Sequence, residues 1–243
     1  MQAWKSALIE RAEEVVKRAR AGGADVAEAV LRQGSHLSAK VRAKAPELVS
    51  EADSAALGLR VMRGQQVAVA HSSDLSPHGL ETLVADALEL ASLTEPDPHA
   101  GPPAPEALAR DLSGAEMCAR EEALALFDDP TAQLDGDVCL QQALQAETAA
   151  YDFDPRITHS EGATFARISG AMALVTSGGF AGAGRGTYAS LVVQPVATDA
   201  SGVRRTGHHW SAKRHCQDLQ SPSAVGQEAA RRTVAILGQI LDA

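Results

Sequence analysis

Asp74-Leu75-Ser76-Pro77 and Asp218-Leu219-Gln220-Ser221-Pro222 are two short stretches with the same chemistry, and each follows a run of predicted strands. A serine hydroxyl at a helix N-cap accepts a hydrogen bond from a free amide of the first turn. Proline is tolerated at the first helical position, because the amide that it lacks would be unpaired there. The two stretches therefore predict helices over 77–93 and 222–238. The repeated order of strands and helix indicates two related units.

The composition is that of a folded, acidic protein. Of the 243 residues, 45% are hydrophobic, so the chain can bury a core, and the formal net charge is −9. An acidic surface argues against general nucleic-acid binding, because contacts with phosphates need basic side chains. The composition therefore argues against direct binding of nucleic acid, and the acidity is typical of a cytosolic protein.

The cysteines and the first twenty residues predict a cytoplasmic protein. Cys118, Cys139 and Cys216 are odd in number, far apart and without a Cys-x-x-Cys motif, which is typical of a reducing compartment. Residues 1–20 are charged throughout and lack the apolar region of a signal peptide. No stretch approaches the ~18 consecutive apolar residues of a membrane span, so we expect no membrane association.

Residues 1–95 are predicted to form a first α+β domain. An amphipathic helix over 2–20 ends at Gly22-Gly23, because glycine stops helices. Alternating apolar segments follow, with hairpin turns predicted at Gly34-Ser35 and Arg63-Gly64. The predicted strands are 24–33, 36–43, 47–52, 55–62 and 65–71.

Residues 96–114 are predicted to be a proline-rich, semi-rigid linker, and residues 115–243 a second α+β domain. Helices are predicted over 115–127 and 137–151. The predicted strands are 156–168, 171–177, 187–198 and 203–213, with turns at Ser169-Gly170 and Asp199–Gly202. Because short turns join successive strands, the strands pair antiparallel, and the predicted fold class is α+β.

The glycine-rich stretch from Ser177 to Gly186 is predicted to be a flexible hairpin loop. A phosphate-binding loop needs a helix after it, so that the helix N-terminus meets the anion. Here a strand follows, and no Gly-Lys-Ser/Thr sequence is present. A mobile segment that contacts a partner or a substrate stays open as the alternative.

The histidines do not predict a metal site, and Ser160, which has a histidine neighbour, does not predict a catalytic site. His208 and His209 point to opposite faces of a strand, and His215 lies far along it, so these three are not expected to hold one zinc ion. Ser160 faces away from His159, and no Gly-x-Ser-x-Gly motif is present. We therefore expect no catalytic, cofactor-binding or metal-binding residue in this chain.

Two surface features remain. One is a set of acidic residues that we expect to form a solvated face, namely Glu121, Glu122, Asp128, Asp129, Asp135 and Asp137. The other is the edges of the predicted hairpins, which can accept an extended peptide by β-augmentation. The residues alone thus predict binding without catalysis.

Six motifs follow one another over about residues 23 to 238. In the first half they are Gly23–Glu28, Gly58–Gly64 and the run Ser72–Pro77 with Thr94–Pro98. In the second half they are Asp154–Ala163, Ser177–Phe180 and Ser221–Gly226. In this order they resemble the TldD/PmbA family, and within it the PmbA (TldE) branch. His208 and His209 fall where that branch tends to have aromatic residues, which supports a strand there.

The resemblance implies a zinc metallopeptidase system in which TldD-type and PmbA-type subunits pair as a heterodimer that trims unfolded or extended peptides. The family also has a link to modulators of DNA gyrase. Its metal motif, HExxxH with a distant cysteine, belongs to the TldD branch, and the PmbA branch lacks it. The resemblance therefore implies a TldD-type partner that carries the zinc, and no metal ligand in this chain.

Family members continue through a third, β-rich domain, whereas this sequence stops at Ala243. We therefore expect a fragment or a naturally short homologue, without that domain. Two main hypotheses follow. The first is a non-catalytic subunit that helps to shape a groove for a peptide, and the second is a stand-alone interaction or regulatory protein without a role in proteolysis. A free-standing hydrolase with an unrecognised site is a third.

Overall fold

The computed structural model describes residues 3–101 and 123–237. The fold is α+β, as predicted, with 36% helix and 42% strand. The helices are α1 (Ala3–Ala21), α2 (Pro77–Leu93), the short α3 (Asp129–Ala132), α4 (Gly136–Phe153) and α5 (Pro222–Ala235), with a 3-10 turn at Cys216–Asp218. The strands are β1 (Val26–Arg42), β2 (Ala45–Arg63), β3 (Gln66–Ser72), β4 (Ile157–Thr176), β5 (Ala181–Thr198), β6 (Arg204–Thr206) and β7 (His209–Lys213).

These strands form one antiparallel sheet in the order β3-β2-β1-β4-β5-β6, and β7 also pairs with β5. The described residues divide into two compact units. Within the described ranges, unit 1 contains residues 3–34, 53–101, 123–125 and 170–185, and unit 2 contains residues 35–52, 126–169 and 186–237. The units group residues by proximity, and the domain boundaries given above, which divide the chain at one linker, stay a prediction. Residues 102–114 of that linker lie outside the described residues, as does most of the helix predicted at 115–127.

Each unit has its own apolar core, built mainly from small side chains. In unit 1 the buried faces of α1 and α2 cover one face of the strands, with Leu8, Val15 and Leu83 among the core residues. In unit 2, α4 and α5 do the same, with Phe165 and Val225 in the core. The amphipathic helix predicted over 2–20 is confirmed, because Leu8, Val15 and Ala19 on one face of α1 are buried.

Both Ser-Pro helix starts are confirmed. The Gly79 amide donates to the Ser76 hydroxyl at 3.1 Å, and the Ala224 amide donates to the Ser221 hydroxyl at 3.3 Å. Helix α2 has the predicted bounds, whereas α5 ends at Ala235, before the predicted 238.

Two predicted turns are wrong. Gly34-Ser35 lies inside β1, and Ser169-Gly170 lies inside β4, so each pair of short predicted strands is one long strand. Gly170 has a different reason to be glycine, because a Cβ atom there would lie 3.0 Å from the Gln33 carbonyl oxygen. The small residue allows a close backbone approach within the sheet rather than a reversal of the chain.

The β1–β2 turn lies instead at Ala43-Lys44, and it depends on a buried carboxylate. Ala43 and Lys44 have φ angles of 52° and 61°, a left-handed conformation that costs about 1–2 kcal/mol for each non-glycine residue. Their amides donate to the two Glu147 carboxylate oxygens at 3.1 and 2.7 Å. Glu147 is fully buried on α4. Hydrogen bonds to a charged acceptor contribute about 1.5–3 kcal/mol each, enough to offset the strain.

Helices α4 and α5 approach so closely that only glycine fits at one contact. A Cβ atom at Gly226 would lie 2.0 Å from the Ala146 carbonyl oxygen and 3.0 Å from the Ala150 nitrogen. Because both neighbours are backbone atoms, a side chain here moves one helix away from the other.

We expect Glu147→Ala to lower the free energy of unfolding by about 2–4 kcal/mol, because it leaves two turn amides without their acceptor. Urea denaturation followed by circular dichroism measures this. Glu161→Ala is the control, since that carboxylate is 54% exposed and its pair with Arg42 contributes at most about 1 kcal/mol. Equal losses for the two variants would contradict the role of Glu147.

We expect Gly226→Ala to lower the free energy of unfolding by about 3 kcal/mol, because the helices must separate. The control is Gly184→Ala in strand β5, where a Cβ atom meets nothing within 4 Å. Thermal denaturation compares the two variants, and an unchanged midpoint for Gly226→Ala would show that α4 and α5 are not in close contact.

Candidate binding edge of the sheet

Strand β3 forms one edge of the sheet, and among the described strands it pairs with β2 alone. It follows β2 through a two-residue turn, so Arg63 lies opposite Gln66, and the antiparallel register continues to Leu57 opposite Ser72. In such a hairpin the pair that closes the turn is hydrogen-bonded, and bonded and non-bonded pairs then alternate. The amides and carbonyls of Val67, Val69 and His71 therefore point away from β2.

This edge is held in place from behind. Ala68 belongs to the apolar core of unit 1 and Ala70 packs against it, which fixes one face of β3 on α2. The Gln66 side-chain amide donates to the Thr94 carbonyl at 2.7 Å, and the Asp97 amide donates to the Gln65 carbonyl at 2.9 Å. Within residues 3–101 and 123–237, no other strand pairs with β3.

The opposite face of β3 is open to solvent at its centre. Val69 is 66% exposed, and His71 is also exposed. An exposed strand edge of this kind offers main-chain donors and acceptors in a fixed row to another extended chain. The arrangement supports binding of a strand through main-chain hydrogen bonds.

Ser160 supports the backbone of β4. Its hydroxyl accepts from the Gly162 amide at 2.8 Å, and Gly162 has a φ angle of 116°, which favours glycine. The His159 ring lies 3.0 Å from the Thr158 hydroxyl and is not paired with Ser160 in the hydrogen bonds of the described residues. The structure thus gives Ser160 a local structural role.

The three histidines lie around β7 and the turn after it. His208 directly precedes the strand, and His215 directly precedes the 3-10 turn. The His209 ring contacts the Gln220 side-chain oxygen at 2.9 Å. Among the described residues, no group of three or more His, Cys, Asp or Glu side chains is placed to hold a metal ion.

The glycine-rich stretch is mostly strand, which corrects the prediction of a loop over 177–186. Only residues 177–180 form the turn between β4 and β5, and residues 181–186 belong to β5. The Ser177 amide donates to the Ala27 carbonyl at 2.8 Å, and the Ala27 amide donates to the Ser177 hydroxyl at 3.0 Å. These two bonds fix the start of the turn to β1.

The acidic residues include two helix caps. The Asp128 carboxylate accepts from the Thr131 amide at 2.9 Å, and the Asp135 carboxylate accepts from the Val138 amide at 2.8 Å. Asp129 and Asp137 are exposed. Asp135 is exposed as well, whereas Asp128 is half-buried, so the expected solvated face is correct for three of the four described residues. Glu121 and Glu122 lie outside the described residues.

The described cysteines, Cys139 and Cys216, differ in environment. Cys139 is fully buried on α4, and this burial raises the pKa of its thiol to about 11, so the thiol stays protonated at neutral pH. Cys216 is half-buried. None of the described helices is long and apolar enough to cross a membrane.

Comparison with known proteins matches both halves of the chain. Residues 27–91 match domain 1 of the PmbA/TldA metallopeptidases, and residues 129–237 match their central domain. Metalloprotease PmbA of Escherichia coli O157:H7 is 31% identical over 230 residues, which are 95% of this chain and 48% of the relative. The PmbA homologue of Haemophilus influenzae is 30% identical over 87% of this chain and 44% of its own length. The chain thus spans about half the length of these relatives.

Solved structures share the fold. A candidate modulator of DNA gyrase from Bacteroides thetaiotaomicron has a TM-score of 0.83 at 19% identity, over 96% of this chain and 51% of its own. TldE from Thermococcus kodakarensis has a TM-score of 0.74 at 14% identity, over 92% of this chain and 47% of its own. With two family models that match in order and curated relatives at about 30% identity, the chain belongs to the PmbA/TldD family.

Proposed function

We propose that this chain is a non-catalytic, PmbA-like subunit of a TldD-type zinc metallopeptidase system that processes extended peptides in the cytoplasm. It pairs with a TldD-type subunit, which carries the zinc, and it contributes part of the surface that holds the peptide. The chain itself holds no cofactor in this proposal.

The observation that carries the proposal is the outward edge of β3. Val67, Val69 and His71 offer three successive main-chain donor and acceptor pairs, and the core of unit 1 fixes them in a row. A peptide that adds as a strand gains affinity from these main-chain bonds whatever its side chains are. Such a surface suits a system whose substrates share an extended shape rather than a sequence.

The names of the relatives support a place in a peptidase system, which is the coarser part of this proposal. Two of them are metalloproteases of the PmbA type, and one solved neighbour is a TldE. The alternative is a stand-alone interaction or regulatory module, because an exposed edge can equally bind a strand of a regulated protein. The two functions differ in whether a TldD-type partner is required.

We expect Val69→Pro to weaken the binding of a fluorescently labelled, unstructured peptide about five-fold, because one outward amide is lost. Proline is tolerated at this position, since the amide that it removes does not bond to β2. Val69→Thr retains the amide and is the control. Fluorescence anisotropy measures both variants, and equal affinities would exclude β3 as the binding edge.

We expect the chain to co-elute with a TldD-type protein from the same genome in size-exclusion chromatography at micromolar concentration. A peptide-cleavage assay on the co-eluting fractions then tests the proposed system. Separate elution of two folded proteins would contradict the subunit function and leave the stand-alone module as the better account.

A further inference from the structure

We infer that a cavity in unit 2 binds one apolar side chain of an extended peptide. The cavity has a volume of about 190 Å³ and lies between the start of α4, the strands β4 and β5, and residues 216–222. The inference rests on the proposed function, since its ligand is a peptide, but it names a contact separate from the β3 edge.

The inner surface of the cavity is apolar. Its floor contains Phe165 and Leu191, both buried in the core of unit 2, and its walls include Leu134, Val138 and Leu219. An apolar cavity of about 150 Å³ is large enough to bind benzene and stays dry when empty. The cavity therefore holds one side chain of the size of leucine, methionine or phenylalanine.

The residues around the cavity select an uncharged group. None of the residues that line it is Asp, Glu, Lys, Arg or His. A charged side chain that enters would lose its hydration without gaining an opposite charge, which is costly. The lining thus favours apolar side chains over acidic or basic ones.

The polar residues of the lining suit a peptide main chain. Gln142, Gln217 and Gln220 all belong to the lining, and a glutamine amide both donates and accepts hydrogen bonds. A peptide main chain presents one donor and one acceptor for each residue. A peptide can therefore contact both the apolar floor and the polar rim of the cavity, whereas a small hydrocarbon would contact only the floor.

Hydrogen bonds hold the wall at 216–222 in place. The Cys216 amide donates to the Thr131 hydroxyl at 2.7 Å, and the Thr131 amide donates to the Asp128 carboxylate at 2.9 Å. The Gln220 amide donates to the Ser211 hydroxyl at 3.1 Å. The wall is therefore formed before a ligand arrives, which reduces the entropy lost on binding.

The opposite wall, at the start of α4, is fixed as well. The buried Arg167 guanidinium donates to the Leu134 carbonyl at 3.1 Å and to the Glu51 carboxylate at 2.6 Å. The Asp135 cap fixes the first turn, which carries Val138. Both walls thus depend on side chains that sit outside the cavity.

The test compares two labelled peptides of nine residues, rich in glycine and serine, with leucine or aspartate at the centre. We expect the 243-residue chain to bind the leucine peptide about ten-fold more tightly, as measured by fluorescence anisotropy. Val138→Trp fills the cavity and should remove this preference. Leu144→Trp is the matched control, because Leu144 is on the same helix, is similarly exposed and does not line the cavity.

A leucine peptide whose central residue carries a photoreactive diazirine gives a second readout. We expect its cross-links, located by mass spectrometry, at Val138, Phe165 or Leu219. A preference for leucine that remains in Val138→Trp, or cross-links at other residues, would show that the cavity does not bind the side chain. Neither result would contradict the proposed function. If neither peptide binds, both the proposed function and the binding of a side chain in the cavity are contradicted.

Discussion

The β1–β2 hairpin depends on one buried carboxylate. Glu147 on α4 accepts the amides of Ala43 and Lys44, the two left-handed residues of the turn. Without this acceptor, two non-glycine residues would carry the strain of the turn, and two amides would be unpaired next to a buried side chain. The same bonds tie the end of the hairpin to the helix that lies over the core of unit 2.

The packing of unit 2 depends on small side chains and on short distances between backbones. Its core contains many alanines, and aromatic residues are only 3% of the whole sequence. Small side chains give each helix few atoms with which to bury area, so stability requires short distances between backbones. Gly226 against Ala146 meets this requirement, so we expect α4 and α5 to tolerate little change at their contact.

Local chemistry made part of this fold predictable from the sequence. Helix starts at Ser76 and Ser221 depend on neighbouring residues, and both were predicted correctly. The turn at Ala43-Lys44 was missed because its stabilising partner, Glu147, lies more than a hundred positions away. Gly34 and Gly170 were assigned to turns because glycine is common there, and a sequence does not show that Gly170 serves a close approach to another strand.

The sequence predicts the strand that carries the candidate binding edge, but not that this strand lies at the edge of the sheet. Alternation along 65–71 indicated a strand, but which of the described strands pair with β3 is a property of the whole sheet. Amide hydrogen exchange, measured residue by residue by NMR, shows whether this edge binds an extended chain. We predict fast exchange at Val67, Val69 and His71 in the free chain and clear protection of these three amides with a saturating peptide. Unchanged exchange at all three, with the peptide demonstrably bound, would contradict the account.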